Sequence, residues 1–130
     1  MFHRKSLVAS AVALAMMATA LFYAPPSVSA SAGGCSGGNE CIYVSGSGLY
    51  VSYTTATYQW VNSNPWATRC GYQKLTKGGS VWKTGPYQCV RGDGLPYVYT
   101  FWLTQSLPNL TTLCVYFTAD PDKPCETVHK

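Results

Sequence analysis

The stretch CIYVSGSGLYVSYTTATYQW, residues 41–60, decides the fold class. Two runs rich in Val, Tyr and Thr flank the small residues 45–48, and neither run places apolar residues at helical spacing. β-Branched and aromatic residues favour strands, while closely spaced glycines favour turns. Residues 41–45 and 49–60 are therefore predicted to be two strands joined by a tight turn.

The rest of the chain continues this pattern of short runs separated by Gly, Pro and Asn. Further strands are predicted at 66–76, 80–84, 87–91, 97–104, 111–118 and 126–129, with turns at 77–79, 92–96 and 108–109. Many short strands with no helical segment are typical of an all-β sandwich or barrel. We expect one small antiparallel β-sandwich, immunoglobulin-like or related, over residues 41–130.

The N-terminal segment predicts export. A basic start, an apolar run and the small residues of SVSASA are typical of a secretory signal peptide over residues 1–30, cut after Ala30 or Ala32. A membrane anchor is the alternative, but Pro25, Pro26 and small residues follow the run where a charged flank is expected. The mature protein is thus predicted to be secreted, without stable membrane insertion.

Residues 31–40, SAGGCSGGNE, are predicted to form a glycine-rich arm that the cysteines tether and that is a candidate contact segment. Lipidation of Cys35 is an alternative interpretation of this segment. It would leave an odd number of cysteines in an oxidising compartment, which is unfavourable.

The chain contains six cysteines, all after the signal peptide, and an even number in a short exported chain predicts three disulfides. Cys70–Cys89 is the preferred pair because these residues flank the hairpin near residue 78. Cys35–Cys41 and Cys114–Cys125 would close short loops, but pairing of the two N-terminal with the two C-terminal cysteines remains open. The candidate disulfide residues are Cys35, Cys41, Cys70, Cys89, Cys114 and Cys125.

The charge and the titratable residues argue against several classes of function. Loss of Arg4 and Lys5 with the signal lowers the formal net charge from +4 to +2, too little to indicate nucleic acid binding. His129 is the only histidine left as a general base, and it lies beside the chain end, where residues are usually mobile. The chain lacks the Cys-x-x-Cys pair that would indicate a metal site. We therefore expect no catalysis, metal or cofactor.

Alternation along the predicted strands assigns side chains to faces. Leu49, Val51 and Tyr53 share one face of their strand, and residues 113, 115 and 117 share one face of theirs. Both faces are expected to be buried in the core. The chain also holds four Trp and ten Tyr, which are frequent in binding sites. The candidate contact residues are Tyr50, Trp60, Trp66, Trp82, Tyr97, Tyr99, Trp102 and Tyr116.

Residues 91–94, RGDG, resemble the integrin-binding tripeptide, and an exposed loop tip would display Arg91 and Asp93. A plain turn is the alternative, since Gly-Asp-Gly is turn chemistry.

Three functions are compatible with a rigid, disulfide-linked, aromatic-rich scaffold. The first is an interaction module that binds an extracellular protein through aromatic residues or a strand edge. The second is a carbohydrate-binding module, in which several Trp side chains aligned on one open face would stack on polysaccharide. The third is a peptidase inhibitor that presents a rigid loop such as residues 91–96.

Four features resemble small secreted cysteine-rich β-proteins of actinobacteria: the style of the leader, the stretch CIYVSGSGLYV, the frame of six cysteines and the ending KPCETVH. Within that set, the chain is similar in size and export route to the adaptor subunit of umbrella-type antibacterial toxin particles. The resemblance implies a secreted adaptor that joins a lectin-like subunit to a toxin-bearing stalk. It assigns no role to any residue.

Overall fold

The computed structural model describes residues 31–130, which form two four-stranded antiparallel sheets and no helix. The first sheet has the order β1-β2-β3-β6, and the second has the order β5-β4-β7-β8. The strands are β1 (Ala32–Ser36), β2 (Glu40–Ser47), β3 (Tyr50–Tyr58), β4 (Thr68–Lys77), β5 (Ser80–Arg91), β6 (Tyr97–Ser106), β7 (Thr111–Phe117) and β8 (Cys125–Val128). The predicted all-β fold with three disulfides is confirmed, and the two sheets pack in a sandwich-like arrangement.

Most strand ends lie within one or two residues of the predicted positions, and two larger differences change the elements themselves. The sheet begins at Ala32 rather than Cys41, because β1 pairs along its whole length with β2 and makes most of the glycine-rich arm an edge strand. The segments 80–84 and 87–91 form one strand, β5, in which residues 85 and 86 lie at a shift of register. The signal peptide predicted over residues 1–30 lies outside the described residues.

The core lies between the two sheets and consists of two adjoining clusters of buried side chains. The larger cluster joins residues of β2, β3 and β6 to residues of β4, β7 and β8, among them Ile42, Val51, Leu75 and Val115. The smaller cluster closes one end of the sandwich with Tyr58, Trp60, Val90 and Phe117. The aromatic rings of Tyr58 and Phe117 lie 4.6 Å apart there, so this end is filled mainly by aromatic side chains.

A β-bulge changes the face that β3 presents to the core. Val51 is buried, but the register of β3 against β6 shifts between Val51 and Tyr53, and burial then falls on the even positions from Thr54 to Tyr58. One extra residue in a strand reverses the alternation of its side chains. Tyr53, expected in the core, therefore points outward, whereas Leu113, Val115 and Phe117 are buried as predicted.

The three disulfides are Cys35–Cys41, Cys70–Cys89 and Cys114–Cys125, so the preferred pair and both short-loop pairs are confirmed. Each joins residues that lie directly opposite one another on neighbouring strands of one sheet. The bridges therefore fix strand pairing within the sheets, and none connects one sheet to the other. Among residues 31–130 there is no helix of the length and hydropathy that crossing a membrane requires.

Candidate functional site

The structure separates the eight candidate contact residues into buried and exposed groups. Trp60 belongs to the smaller core cluster, is only 7 % exposed, and donates its indole N–H to the Val90 carbonyl over 3.3 Å. Tyr97 and Tyr99 point inward from β6. These three residues do not form an open contact surface, because the regular alternation of β6 and the end of β3 bring them between the sheets.

The other five candidates lie at the surface but do not form one group. Tyr50, Trp66 and Trp102 are exposed, whereas Trp82 is half-buried against the core beneath the ammonium groups of two lysines. Tyr116 lies on the outer side of the second sheet. The alignment of several Trp side chains that the carbohydrate interpretation requires is therefore absent within residues 31–130.

The outer side of the first sheet carries a group of apolar and aromatic side chains. Tyr43, Tyr53, Val98 and Trp102 point outward from β2, β3 and β6, and Trp102 is 67 % exposed. Between them lie residues 55, 57 and 100, which are all threonine. We call this surface, defined by Tyr43, Tyr53, Thr55, Thr57, Val98, Thr100 and Trp102, the aromatic face.

The register of the strands brings these side chains together in rows. Tyr53 lies opposite Trp102, and their ring centroids are 5.1 Å apart with an interplanar angle of 61°. Tyr43 lies opposite Gly33 of β1, and a Cβ atom at Gly33 would come within 3.2 Å of the Tyr43 ring. Because Gly33 has no side chain, the Tyr43 ring covers the edge strand and extends the aromatic face across it.

The aromatic face carries no charge. Strands β1, β2, β3 and β6 contain no Lys, Arg, His or Asp, and their one Glu, Glu40, points into the core and is fully buried. An exposed sheet surface of a monomer usually carries charged side chains, which keep it from associating. The missing charges therefore distinguish this surface from an ordinary solvent-facing side of a sheet.

The outer side of the second sheet has the opposite character. Tyr72 and Tyr87 lie edge to face at 5.4 Å, Lys74 is the register neighbour of Tyr116, and the Lys123 ammonium lies 5.4 Å from the Tyr116 ring centroid. We call these five residues the tyrosine–lysine face. Strands β4 and β5 together hold five basic residues and no acid.

The RGDG segment forms a turn whose charged side chains bind each other. Arg91 Nη2 lies 3.1 Å from Asp93 Oδ2, and the Arg91 guanidinium also lies 5.2 Å from the Trp66 ring centroid. The Asp93 carboxylate accepts a hydrogen bond from the Leu95 N–H, and Gly92 is buried against Asn62. This geometry is that of a plain turn, in which Arg91 and Asp93 are not displayed separately.

A buried polar network links the two sheets near the smaller core cluster. Asp120 Oδ2 accepts hydrogen bonds from Arg69, Tyr58 and Asn39 at 2.7, 2.9 and 3.1 Å. Burial alone would raise the pKa of Asp120, but these donors and the Asp122 N–H outweigh it and lower the pKa. Burial raises the pKa of Tyr58 to about 12, so its hydroxyl remains a donor. The network is structural, because its polar groups form their hydrogen bonds with one another.

Comparison with protein-family models, with curated proteins and with solved structures found no match to this chain. The function is therefore argued from the surfaces themselves. Sequence reasoning missed Tyr43 and Tyr53 as members of the aromatic face. The alternation of Ile42, Tyr43 and Val44 already indicates an outward Tyr43, whereas the bulge that turns Tyr53 outward has no clear signal in the sequence.

Proposed function

We propose that this protein is a secreted, non-enzymatic interaction module that binds an extracellular protein through the aromatic face. The observation that carries the proposal is a four-stranded sheet surface that exposes Trp102 and Tyr43 and lacks every charged side chain. The centres of protein interfaces are depleted in charged residues and enriched in Trp and Tyr. The three disulfides agree with an oxidising, extracellular location.

The size of the aromatic face suits a protein partner. Four strands spaced about 4.8 Å apart, paired over about five to eight residues that each rise about 3.3 Å, cover on the order of 300–500 Å² in projection. Side-chain relief increases the accessible area, and a stable interface buries about 800 Å² on each partner. The aromatic face thus supplies the centre of such an interface, and the surrounding loops supply its polar rim.

The geometry favours a protein over a neutral polysaccharide on this face. Stacking on consecutive sugar rings requires roughly coplanar aromatic rings, but Tyr53 and Trp102 are inclined at 61°. Between the rings only Thr hydroxyls are available, and the face carries no carboxylate, amide or guanidinium group to bind sugar hydroxyls. A matching apolar, uncharged protein surface fits both features.

The proposed partner is therefore a secreted protein with an uncharged, apolar docking surface. Such binding agrees with the adaptor role that the resemblance to umbrella-type toxin subunits implies, in which one small protein joins two larger chains. In this role the scaffold itself performs no bond-making step, and it acts through the position in which it holds its partners.

The test is a pull-down with the tagged mature protein from the culture supernatant of the source organism, with recovered chains identified by mass spectrometry. The variant Trp102→Ser removes the most exposed ring of the aromatic face. Trp66→Ser is the matched control, because Trp66 is 74 % exposed but lies in a loop away from that face.

We expect one protein partner to be recovered with the wild type and with Trp66→Ser, and to be lost with Trp102→Ser. The partner's affinity, measured with purified chains, should fall at least tenfold in Trp102→Ser, as is typical of a central interface Trp. Equal recovery with Trp102→Ser and the wild type would refute the assignment of the site.

A further inference from the structure

The tyrosine–lysine face contains a cleft that has no role in the proposed binding of a protein to the aromatic face. The cleft has a volume of about 430 Å³ and is lined by Tyr116, Thr118, Ala119, Asp120, Pro121 and Lys123. This volume lies within the usual range for small-molecule sites. We infer that the cleft, with the tyrosine–lysine face around it, binds a carboxylated sugar unit of an acidic polysaccharide.

The lining offers the three groups that a carboxylated sugar needs. Tyr116 is half-buried on the outer side of β7, so part of its side chain is covered by the protein and part is open to a ligand. Thr118 supplies a hydroxyl beside it, and Lys123 supplies an ammonium group. The long, flexible stem of Lys123 lets its ammonium leave the ring for a carboxylate while the sugar takes its place on the ring.

The charge around the cleft favours an anion. Lys74 is the register neighbour of Tyr116 on one side, and Lys123 lies over the Tyr116 ring. Neither lysine forms an ion pair with another described residue. The one carboxylate in the lining, Asp120, is 5 % exposed and is neutralised by Arg69, so it does not oppose an incoming carboxylate.

The aromatic groups continue along the sheet away from the cleft. Tyr72 is hydrogen-bonded through its backbone to Thr118 of the cleft, and Tyr72 and Tyr87 form an edge-to-face pair. Tyr87 is 60 % exposed. The two rings are inclined at 64° and so do not stack on consecutive sugars, but the exposed Tyr87 ring offers one further contact to a polymer that places one sugar in the cleft.

A polysaccharide fits this surface better than a protein does. Lys is depleted at protein interfaces because its strongly hydrated ammonium group is costly to desolvate. The two lysines of this face are instead placed for an anion that remains partly hydrated. Their attraction for the polymer should weaken as salt screens it.

The test measures binding of the mature protein to polygalacturonate by biolayer interferometry. Methyl-esterified polygalacturonate has the same backbone without the charge, and polyglutamate carries the charge without the sugar. We expect both polymers to bind at least tenfold more weakly than polygalacturonate. We also expect the affinity for polygalacturonate to fall as NaCl is raised from 50 to 300 mM, because the Debye screening length decreases from about 14 Å to about 6 Å over this range.

The variants Tyr116→Ala and Lys123→Gln should each weaken polygalacturonate binding at least tenfold, whereas Tyr116→Phe should bind within about twofold of wild type. Lys130→Gln is the control for net charge, since Lys130 lies at the chain end outside the tyrosine–lysine face. The inference is overturned by an absence of binding, by equal binding of polyglutamate, or by an equal loss in Lys130→Gln. Trp102→Ser should not change glycan binding, so this result is independent of the aromatic face.

Discussion

Replacement of Glu40 by Gln is expected to stabilise this protein at neutral pH. Glu40 is 0 % exposed between the two sheets, and its Oε2 atom accepts one hydrogen bond of 3.3 Å from Gln73 Nε2. Its Oε1 atom and Gln73 Oε1 are buried without a hydrogen-bond partner among the described residues. Burial, with the nearby charges of Asp120 and Asp122, raises the pKa of Glu40 from 4.5 to about 8, although the Gln73 hydrogen bond opposes this shift.

The sign of the pH dependence follows from this shift. Between pH 4.5 and pH 8 the unfolded chain releases the Glu40 proton while the folded protein keeps it, so the free energy of unfolding falls as the pH rises. The slope for one proton is about 1.4 kcal/mol per pH unit. At pH 7 the accumulated loss of stability is therefore roughly 3 kcal/mol relative to pH 4.

The Gln side chain keeps the shape of Glu40 and removes this loss. Its amide group can also donate to Gln73 Oε1, which has no partner in the wild type. We expect Glu40→Gln to be more stable than the wild type by about 1–3 kcal/mol at pH 7 and within about 0.5 kcal/mol of it at pH 4.5, because Glu40 is only half ionised in the unfolded chain at pH 4.5 and little of the pH-dependent difference has developed.

The assay is urea unfolding of the oxidised protein at pH 4.5, 5.5, 6.5 and 7.5, followed by far-UV circular dichroism. The free energy of unfolding of the wild type should fall across this series, and that of Glu40→Gln should remain nearly constant. A wild type without this slope, or a Glu40→Gln variant that retains it, would show that Glu40 is not held neutral in the folded protein.

Three further predictions concern the network, the disulfides and a close backbone contact. Asp120→Asn should lower the free energy of unfolding by roughly 1–3 kcal/mol at pH 7. Below about pH 4 the variant should lose less stability than the wild type does, because the lowered pKa of Asp120 stabilises the wild-type fold only above that range. Equal acid sensitivity in variant and wild type would contradict this. Replacing both Cys70 and Cys89 by Ser should cost about 3 kcal/mol in urea unfolding, since the bridge closes a loop of 19 residues, and an unchanged midpoint would be the opposite result. Gly46→Ala should cost roughly 1–3 kcal/mol because its Cβ would lie 2.0 Å from a backbone carbonyl oxygen; Gly34→Ala, whose nearest atom is a movable carboxylate oxygen at 3.2 Å, is the control and should stay within about 1 kcal/mol of wild type in the same measurement.

The fold class was predictable because its signals are local. Valine, tyrosine and threonine runs between glycines specify strands, and cysteines that flank a hairpin specify a bridge across it, as Cys70 and Cys89 do. The outward position of Tyr53 was not predictable, since it depends on a bulge that becomes defined only when β3 pairs with β6. The burial of Trp60 likewise depends on Val90 and Phe117, which are distant in sequence.

The candidate surfaces were only partly predictable for a related reason. The charged side chains of the described strands are segregated by sheet, not by position in the sequence, because β6 joins the first sheet, whose outer side is uncharged, only after two strands of the basic second sheet have been completed. Trp102 follows the basic β5 closely in the sequence, and no local pattern indicates that it lies on the same face as Tyr43 and Tyr53. The topology creates the aromatic face, and composition alone does not reveal it.

The two surfaces point away from each other, and the interior determines how rigidly they are related. No disulfide crosses between the sheets, so sulfur bridges alone cannot fix the relative orientation of the two outer sides. The apolar core and the Asp120 network do so, because Tyr58 belongs to the first sheet and Arg69 to the second while both bind the same carboxylate oxygen. The proposed protein partner on one side and the proposed polymer on the other would then be separated by two sheets about 10 Å apart, so the two proposals are compatible with simultaneous binding.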